Sequence, residues 1–223
     1  MEMSKGRTET MTKVLVLGAA GRIARLATRE FLTDTDADLT LYLRNAGRLR
    51  ITDPAREHVV DGDVTDAPTL RGALEGQDVV YANLAGRDIE EQARDVVAAM
   101  DSAGARRLIW ISTLGIYDEV PGAFGRWNHE QLDGGYLETY AAAAGVIEAS
   151  DLDWTIIRPA WLTDTDEVDY ETTRKGEPFR GTAVSRRSVA DLVVRLATGR
   201  VPGSRESLGV DKPGTEGDRP AWY

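Results

Sequence analysis

The 223-residue sequence predicts an α/β fold, a doubly wound parallel sheet with helices on both faces and a small C-terminal lid region. Three observations predict it. Short aliphatic and β-branched runs alternate with stretches of helical periodicity. The connections between them are short, which implies parallel pairing through right-handed crossovers and burial of both sheet faces. A glycine-rich turn joins the first strand to the first helix.

Taken in order, Lys13–Leu17 is a buried strand stopped by Gly18. Residues 21–31 follow as a helix, with Ile23, Leu26, Ala27 and Phe31 on one face and Arg22, Arg25, Arg29 and Glu30 outside it. Strands are predicted over 39–43 and 58–60, a short helix over 69–74, a fourth strand over 78–82 and a helix over 89–100. A fifth strand spans 108–111 and an Ala-rich helix spans 136–149. The connection between them is read as a loop. A sixth strand, 154–157, stops at Arg158-Pro159. A last helix, 188–197, buries Val189, Leu192, Val193 and Leu196. The expected organisation is a flexible leader over 1–12, one dinucleotide-binding domain over 13–213 whose part from 159 onward covers the crevice, and a mobile tail over 214–223.

Composition excludes several functions. Hydrophobic residues at 42% can bury a core, so the whole chain is not disordered. With no cysteine and only His58 and His129, neither a Cys-ligated metal nor a multi-histidine centre is expected. A net charge of −10 disfavours nucleic acid and anionic membranes as partners. No run reaches the ~18 apolar residues of a spanning helix, and 1–12 lacks a hydrophobic export core, so a cytoplasmic protein is expected.

The turn Gly18-Ala-Ala-Gly21-Arg-Ile-Ala24 carries the chemistry. Gly18 permits the tight turn, Gly21 lets backbone approach a pyrophosphate, and Ala24 keeps helix close to strand. The helix start then offers N–H groups to phosphate. An NAD site places Asp or Glu at the end of the second strand. Here that place holds Leu43-Arg44-Asn45, with Arg48 near, which suits a 2′-phosphate and predicts NADP(H), NAD(H) remaining possible. Arg22 is a second candidate contact to that phosphate. Asp63, ending the third strand, is either an adenine acceptor or an ordinary turn Asp.

The blocks Val14-Leu-Val-Leu-Gly-Ala-Ala-Gly-Arg-Ile-Ala24, Tyr42-Leu-Arg-Asn45, Gly62-Asp-Val-Thr-Asp66, Asn83-Leu-Ala-Gly86, Trp110-Ile-Ser-Thr113, Leu152-Asp-Trp-Thr-Ile-Ile-Arg-Pro159 and Val184-Ser-Arg-Arg-Ser-Val-Ala190 follow in order. Together they resemble the NmrA-like, NAD(P)H-binding branch of atypical short-chain dehydrogenase/reductases, which includes flavin and biliverdin reductases. The resemblance implies a Rossmann sheet in order 3-2-1-4-5-6 with an extra strand. It also implies cofactor contacts from Gly18, Ala20, Gly21, Arg22, Ile23, Arg44, Asp63, Val64, Asn83, Leu84, Ala85 and Ser112. Short-chain reductases use a Ser at the end of the fifth strand and a Tyr-x-x-x-Lys. Ser112 and Tyr136 match, but Tyr140 stands where lysine would lower the phenol pKa.

Each catalytic candidate has a plainer reading. Ser112 also fits a strand-end hydroxyl, and Tyr136 with Tyr140 an aromatic pair one helical turn apart. Other readings are weaker: His129 as an acid, Tyr117, Phe124, Trp127 and Trp161 as stacking residues, and Arg158 or Lys175 as a substitute cation. The acidic stretch 164–171 reads as a solvated loop. The expected function is an NADP-dependent reductase of a small flat acceptor. The alternative is a non-catalytic NAD(P)-binding sensor acting through a protein partner. Homo-oligomerisation is compatible with either.

Overall fold

The computed structural model describes residues 11–132 and 134–223. Of the expected leader only Met11 and Thr12 fall within them. The elements are β1 (Lys13–Leu17), α1 (Arg22–Asp34), β2 (Asp38–Leu43), a short 3-10 turn (Ala46–Arg48), β3 (Glu57–Asp61), α2 (Ala67–Leu74), β4 (Val79–Ala82), α3 (Ile89–Ala103), β5 (Arg107–Ile111), α4 (Gly122–Gln131), α5 (Tyr136–Glu148), β6 (Asp153–Pro159), β7 (Trp161–Thr163), β8 (Glu171–Arg174), β9 (Ala183–Ser185), α6 (Arg186–Ala197) and β10 (Glu206–Asp211).

The main sheet runs β3-β2-β1-β4-β5-β6-β10-β8. Every pairing in it is parallel except β10 with β8, and β7 pairs with β9 in a separate small sheet. The apolar run of β1 follows from its place at the centre. Val14 and Val16 enter one core with α1 and α6, while Leu15 and Leu17 enter the other with α2, α3 and α5. Four consecutive side chains are fully buried because both faces are covered. Chain order reverses between β1 and β4, and ligands of such sheets bind outside the strand ends at that switch point.

Three sequence expectations need correction. The stretch read as a loop after β5 contains α4, so His129 lies in the last turn of a helix. Gly122, Gly125 and Asn128 are poor helix formers, so local preference hides α4; a Cβ at Gly125 would overlap the Val120 carbonyl, so only glycine packs there. The stretch from 159 is less a cover than an extension of the body: β10 and β8 widen the sheet, and α6 packs on α1. β10 escaped notice because its buried residues include Ser207 and Asp211, not an aliphatic run. The tail is also folded. Thr182 donates its backbone N–H to the Thr215 carbonyl at 3.2 Å, Pro220 is buried and Tyr223 packs on indole rings. Among the described residues no helix is long and apolar enough to cross a membrane.

Candidate functional site

At the switch point lies a cavity of about 380 Å³, walled by the glycine turn, the ends of β2 and β3 and the loop after β4. Its shape is set by missing side chains. Gly18 has φ +74° and donates its N–H to the Tyr42 carbonyl at 2.9 Å. A Cβ on Gly18 would overlap the Asn83 carbonyl, and one on Gly21 would overlap the Asn83 side-chain amide. Gly21 caps α1 without a side-chain hydrogen bond, so among the described residues no side chain takes the first-turn N–H groups that lack intrahelical acceptors. Such a start, with its partial positive charge, is built for an anion. The same cradle fits a dinucleotide pyrophosphate.

Of the expected cofactor residues, Gly18, Ala20, Gly21, Arg44, Asp63, Val64, Asn83, Leu84 and Ala85 line this cavity. Arg44 and Asp63 prove to be partners, Nη1 to Oδ2 at 3.4 Å, with Arg44 73% exposed. An exposed pair of this kind contributes about 0–1 kcal/mol, so a doubly charged phosphate competes with it easily. Hydrogen bonds from the Thr65 backbone N–H and hydroxyl, with the Arg44 charge, hold the Asp63 carboxyl below its usual range despite partial desolvation. Asp63 is therefore an ionised, oriented acceptor.

Three expected residues sit differently. The Arg22 side chain does not line the cavity but pairs with Asp164, which also accepts from Arg186 at 2.9 Å. Arg25 and Arg48, not Arg22, stand on the cavity wall beside Arg44. The Ile23 side chain is core, leaving only its backbone for a ligand. Ser112 lies outside this cavity, and its buried hydroxyl has no partner among the described residues.

No hydrogen bond joins Ser112 to Tyr136. Tyr136 is 40% exposed and packs on buried Tyr140, ring centroids 4.5 Å apart. Partial burial, then the Tyr140 hydroxyl, push its phenol pKa up, which keeps it protonated at neutral pH. Neither proposed substitute for the lysine is free. Arg158 is fully buried and paired with Glu119, and Lys175 binds Glu148 at 2.7 Å while lying over the Tyr117 ring. The acidic stretch is the exposed loop expected, with surface pairs from Asp166 to Arg187 at 2.9 Å and from Glu167 to Lys212 at 2.6 Å.

Sequence reasoning missed several residues that shape the site. Tyr42 donates its hydroxyl to the Asp63 carbonyl at 2.7 Å, and a Cβ on Gly62 would overlap that phenol. Gln92 ties Asp88 (2.8 Å) to the 83–86 loop. Glu119 accepts from the Gly115 and Tyr117 backbone N–H groups at 3.1 and 3.0 Å and so pins the loop after β5. Only Asp88 left a signal, as an acidic residue just before a helical run.

At the carboxyl ends of β5 and β6 stands an aromatic group. Trp127 of α4 lies 4.8 Å from Trp161, with Phe124 stacked behind it at 6.1 Å. The Trp161 indole N–H donates to Asn128 at 2.9 Å.

Residues 18–199 match the family model described as NAD(P)H-binding. A Rossmann-fold NAD(P)-binding family protein from Shigella flexneri is 39% identical, with TM-score 0.82 over 95% of this chain and 98% of that one. A wide-type short-chain dehydrogenase/reductase from Veillonella parvula, solved in complex with NADP, is 31% identical, with TM-score 0.88 over 95% and 100%. An anaerobillin reductase from Escherichia coli shares the fold at 19% identity, TM-score 0.75, over 92% and 100%.

Proposed function

The chain belongs to the NAD(P)H-binding family, and from that premise we propose that it is an NADP(H)-dependent reductase of a small, flat acceptor. One observation carries the cofactor choice: the residue that follows β2 is Arg44, not a carboxylate, and Arg44 shares the cavity wall with Arg25 and Arg48. Guanidinium groups suit a 2′-phosphate, whereas a ribose diol calls for Asp or Glu. The NADP complex of the Veillonella parvula protein supports the same choice.

In this reading the glycine turn and α1 start hold the pyrophosphate, Arg44, Arg48 and Arg25 hold the 2′-phosphate, and Asp63 faces the adenine. Bound NADPH would supply the hydride. Ser112, with a hydroxyl free of partners, and Tyr136, a phenol kept protonated, are the donors that would complete reduction with a proton. The test is a nicotinamide-fluorescence titration. NADPH binds at least about tenfold tighter than NADH, and Arg44→Asp reverses the order. Equal affinities in the unmodified protein defeat the reading.

A second reading, a cofactor-binding sensor that signals through a protein partner, draws on the unlinked Ser112 and Tyr136 and the absent lysine. The two separate in an assay of NADPH consumption with flavins, quinones and aldehydes. Tight NADPH binding with no turnover of any acceptor favours the sensor.

A further inference from the structure

Five aromatic residues from three separate stretches of the chain meet at the carboxyl ends of β5 and β6, next along the sheet from the β1–β4 cavity. Trp127 and Trp161 lie 4.8 Å apart with planes inclined at 55°, which makes a V-shaped trough of two half-buried indoles. The Tyr223 ring sits in it, 4.9 Å from Trp127 and 5.3 Å from Trp161, edge-on to both at 66° and 79°. Trp222 leans on Tyr223 at 6.3 Å. Asn128, fully buried, fixes the Trp161 ring through the indole N–H.

The occupant is weakly held. Past Thr215 the described chain makes no hydrogen bond or ion pair to the rest of the protein; the one bond there, Tyr223 N–H to the Pro220 carbonyl at 3.1 Å, is internal to the segment. Tyr223 is 51% and Trp222 52% exposed. Ring contacts and the burial of Pro220 therefore keep this segment in place, and a larger planar ring meets both indoles over more area than a phenol does. On the neighbouring 162–171 stretch Asp164 and Asp166 are matched by Arg22, Arg186 and Arg187 and Asp169 by Lys212, so these cations are already engaged and do not call for an anion.

We propose that Trp127 and Trp161 are the stacking platform for a planar, uncharged ring system, and that Tyr223 stands in for that ring, so that the ligand binds only by displacing residues 220–223. The proposal deepens the reductase reading and rests on it, since it makes the trough the acceptor side of the same crevice. It assigns a competition: acceptor and Tyr223 exclude one another, while the β1–β4 cavity is untouched by either.

Riboflavin, a neutral planar ring, is the probe. It is titrated into the full chain with saturating NADP⁺, following flavin fluorescence anisotropy, alongside a separate NADPH titration. Tyr223→Ala tightens riboflavin about tenfold, the loss of two aromatic contacts of the competing segment, and leaves NADPH affinity unchanged. Adding Trp161→Leu to Tyr223→Ala weakens riboflavin below the unmodified protein, with circular dichroism confirming the fold. Equal riboflavin affinity with and without Tyr223 overturns the proposal, as does binding to neither. Self-association of Tyr223→Ala in light scattering, without flavin binding, assigns the trough to a protein surface and overturns it too. Failure of NADPH to bind sinks the reductase reading instead, a distinct result.

Discussion

The two halves of the sheet's carboxyl edge are built by opposite means. Around β1 and β4 the site is made of backbone: Gly18, Gly21 and Gly62 each leave out a Cβ that would strike Asn83 or Tyr42. Beyond β5 it is made of long side chains that reach across the sequence, Arg158 to Glu119, Trp161 to Asn128 and Tyr223 to Trp127. The first kind of construction leaves a local mark in the chain, small residues at fixed spacing. The second leaves none, because each partner is an ordinary residue until the fold brings the other to it.

That contrast can be broken by mutation, and the largest effect belongs to the second half. Arg158 is fully buried and the Glu119 side chain is 4% exposed, so Glu119→Ala strands a buried guanidinium and frees the loop that follows Ser112. It costs about 3–5 kcal/mol in urea unfolding. A loss under about 1 kcal/mol would mean that side chains do not fix this half. Next comes Gly18→Ala, which combines a left-handed backbone with overlap on the Asn83 carbonyl. It costs at least about 2 kcal/mol by the same measurement, and NADPH affinity falls with it. An unperturbed variant would show that the cradle does not depend on the missing Cβ.

The smallest effect tests the seam between the halves, where α1 meets α6. Burial of Glu30, with Asp191 and Asp34 close by, raises its pKa from 4.5 to about 7. The folded state thus holds a proton that the unfolded chain releases above pH 4.5. The stabilisation is complete below that pH and is lost as pH rises through about 7. Glu30→Gln therefore raises Tm by roughly 2–4 °C at pH 8, near 1 kcal/mol, and leaves it unchanged at pH 4. A gain of equal size at both pH values would remove the proton from the account.

The same division explains what could be read before folding. Strands β1, β2 and β4 to β6 were legible because burial on both faces demands largely apolar runs, whereas β3 is an exposed edge strand marked only by Val59 and Val60; the cavity was legible because only glycine serves at Gly18 and Gly21. Arg44 was legible by its position after β2, although its partnership with Asp63 was not. α4 stayed hidden behind Gly122, Gly125 and Asn128, and β10 behind Ser207 and Asp211. Glu119, Arg25 and the folded end of the chain needed three-dimensional neighbours to acquire meaning.

The bond between Arg22 and Asp164 has an ionic-strength consequence. Arg22 begins α1, yet its charge is engaged by a carboxylate from beyond β7 and is not on the cavity wall. Both partners are mostly exposed, so added electrolyte screens the contact and slackens the tie between the start of α1 and the stretch after β7. On the proposed reading the salt dependence of dinucleotide affinity is set by the arginines of the cavity wall, and Asp164→Asn leaves it unchanged.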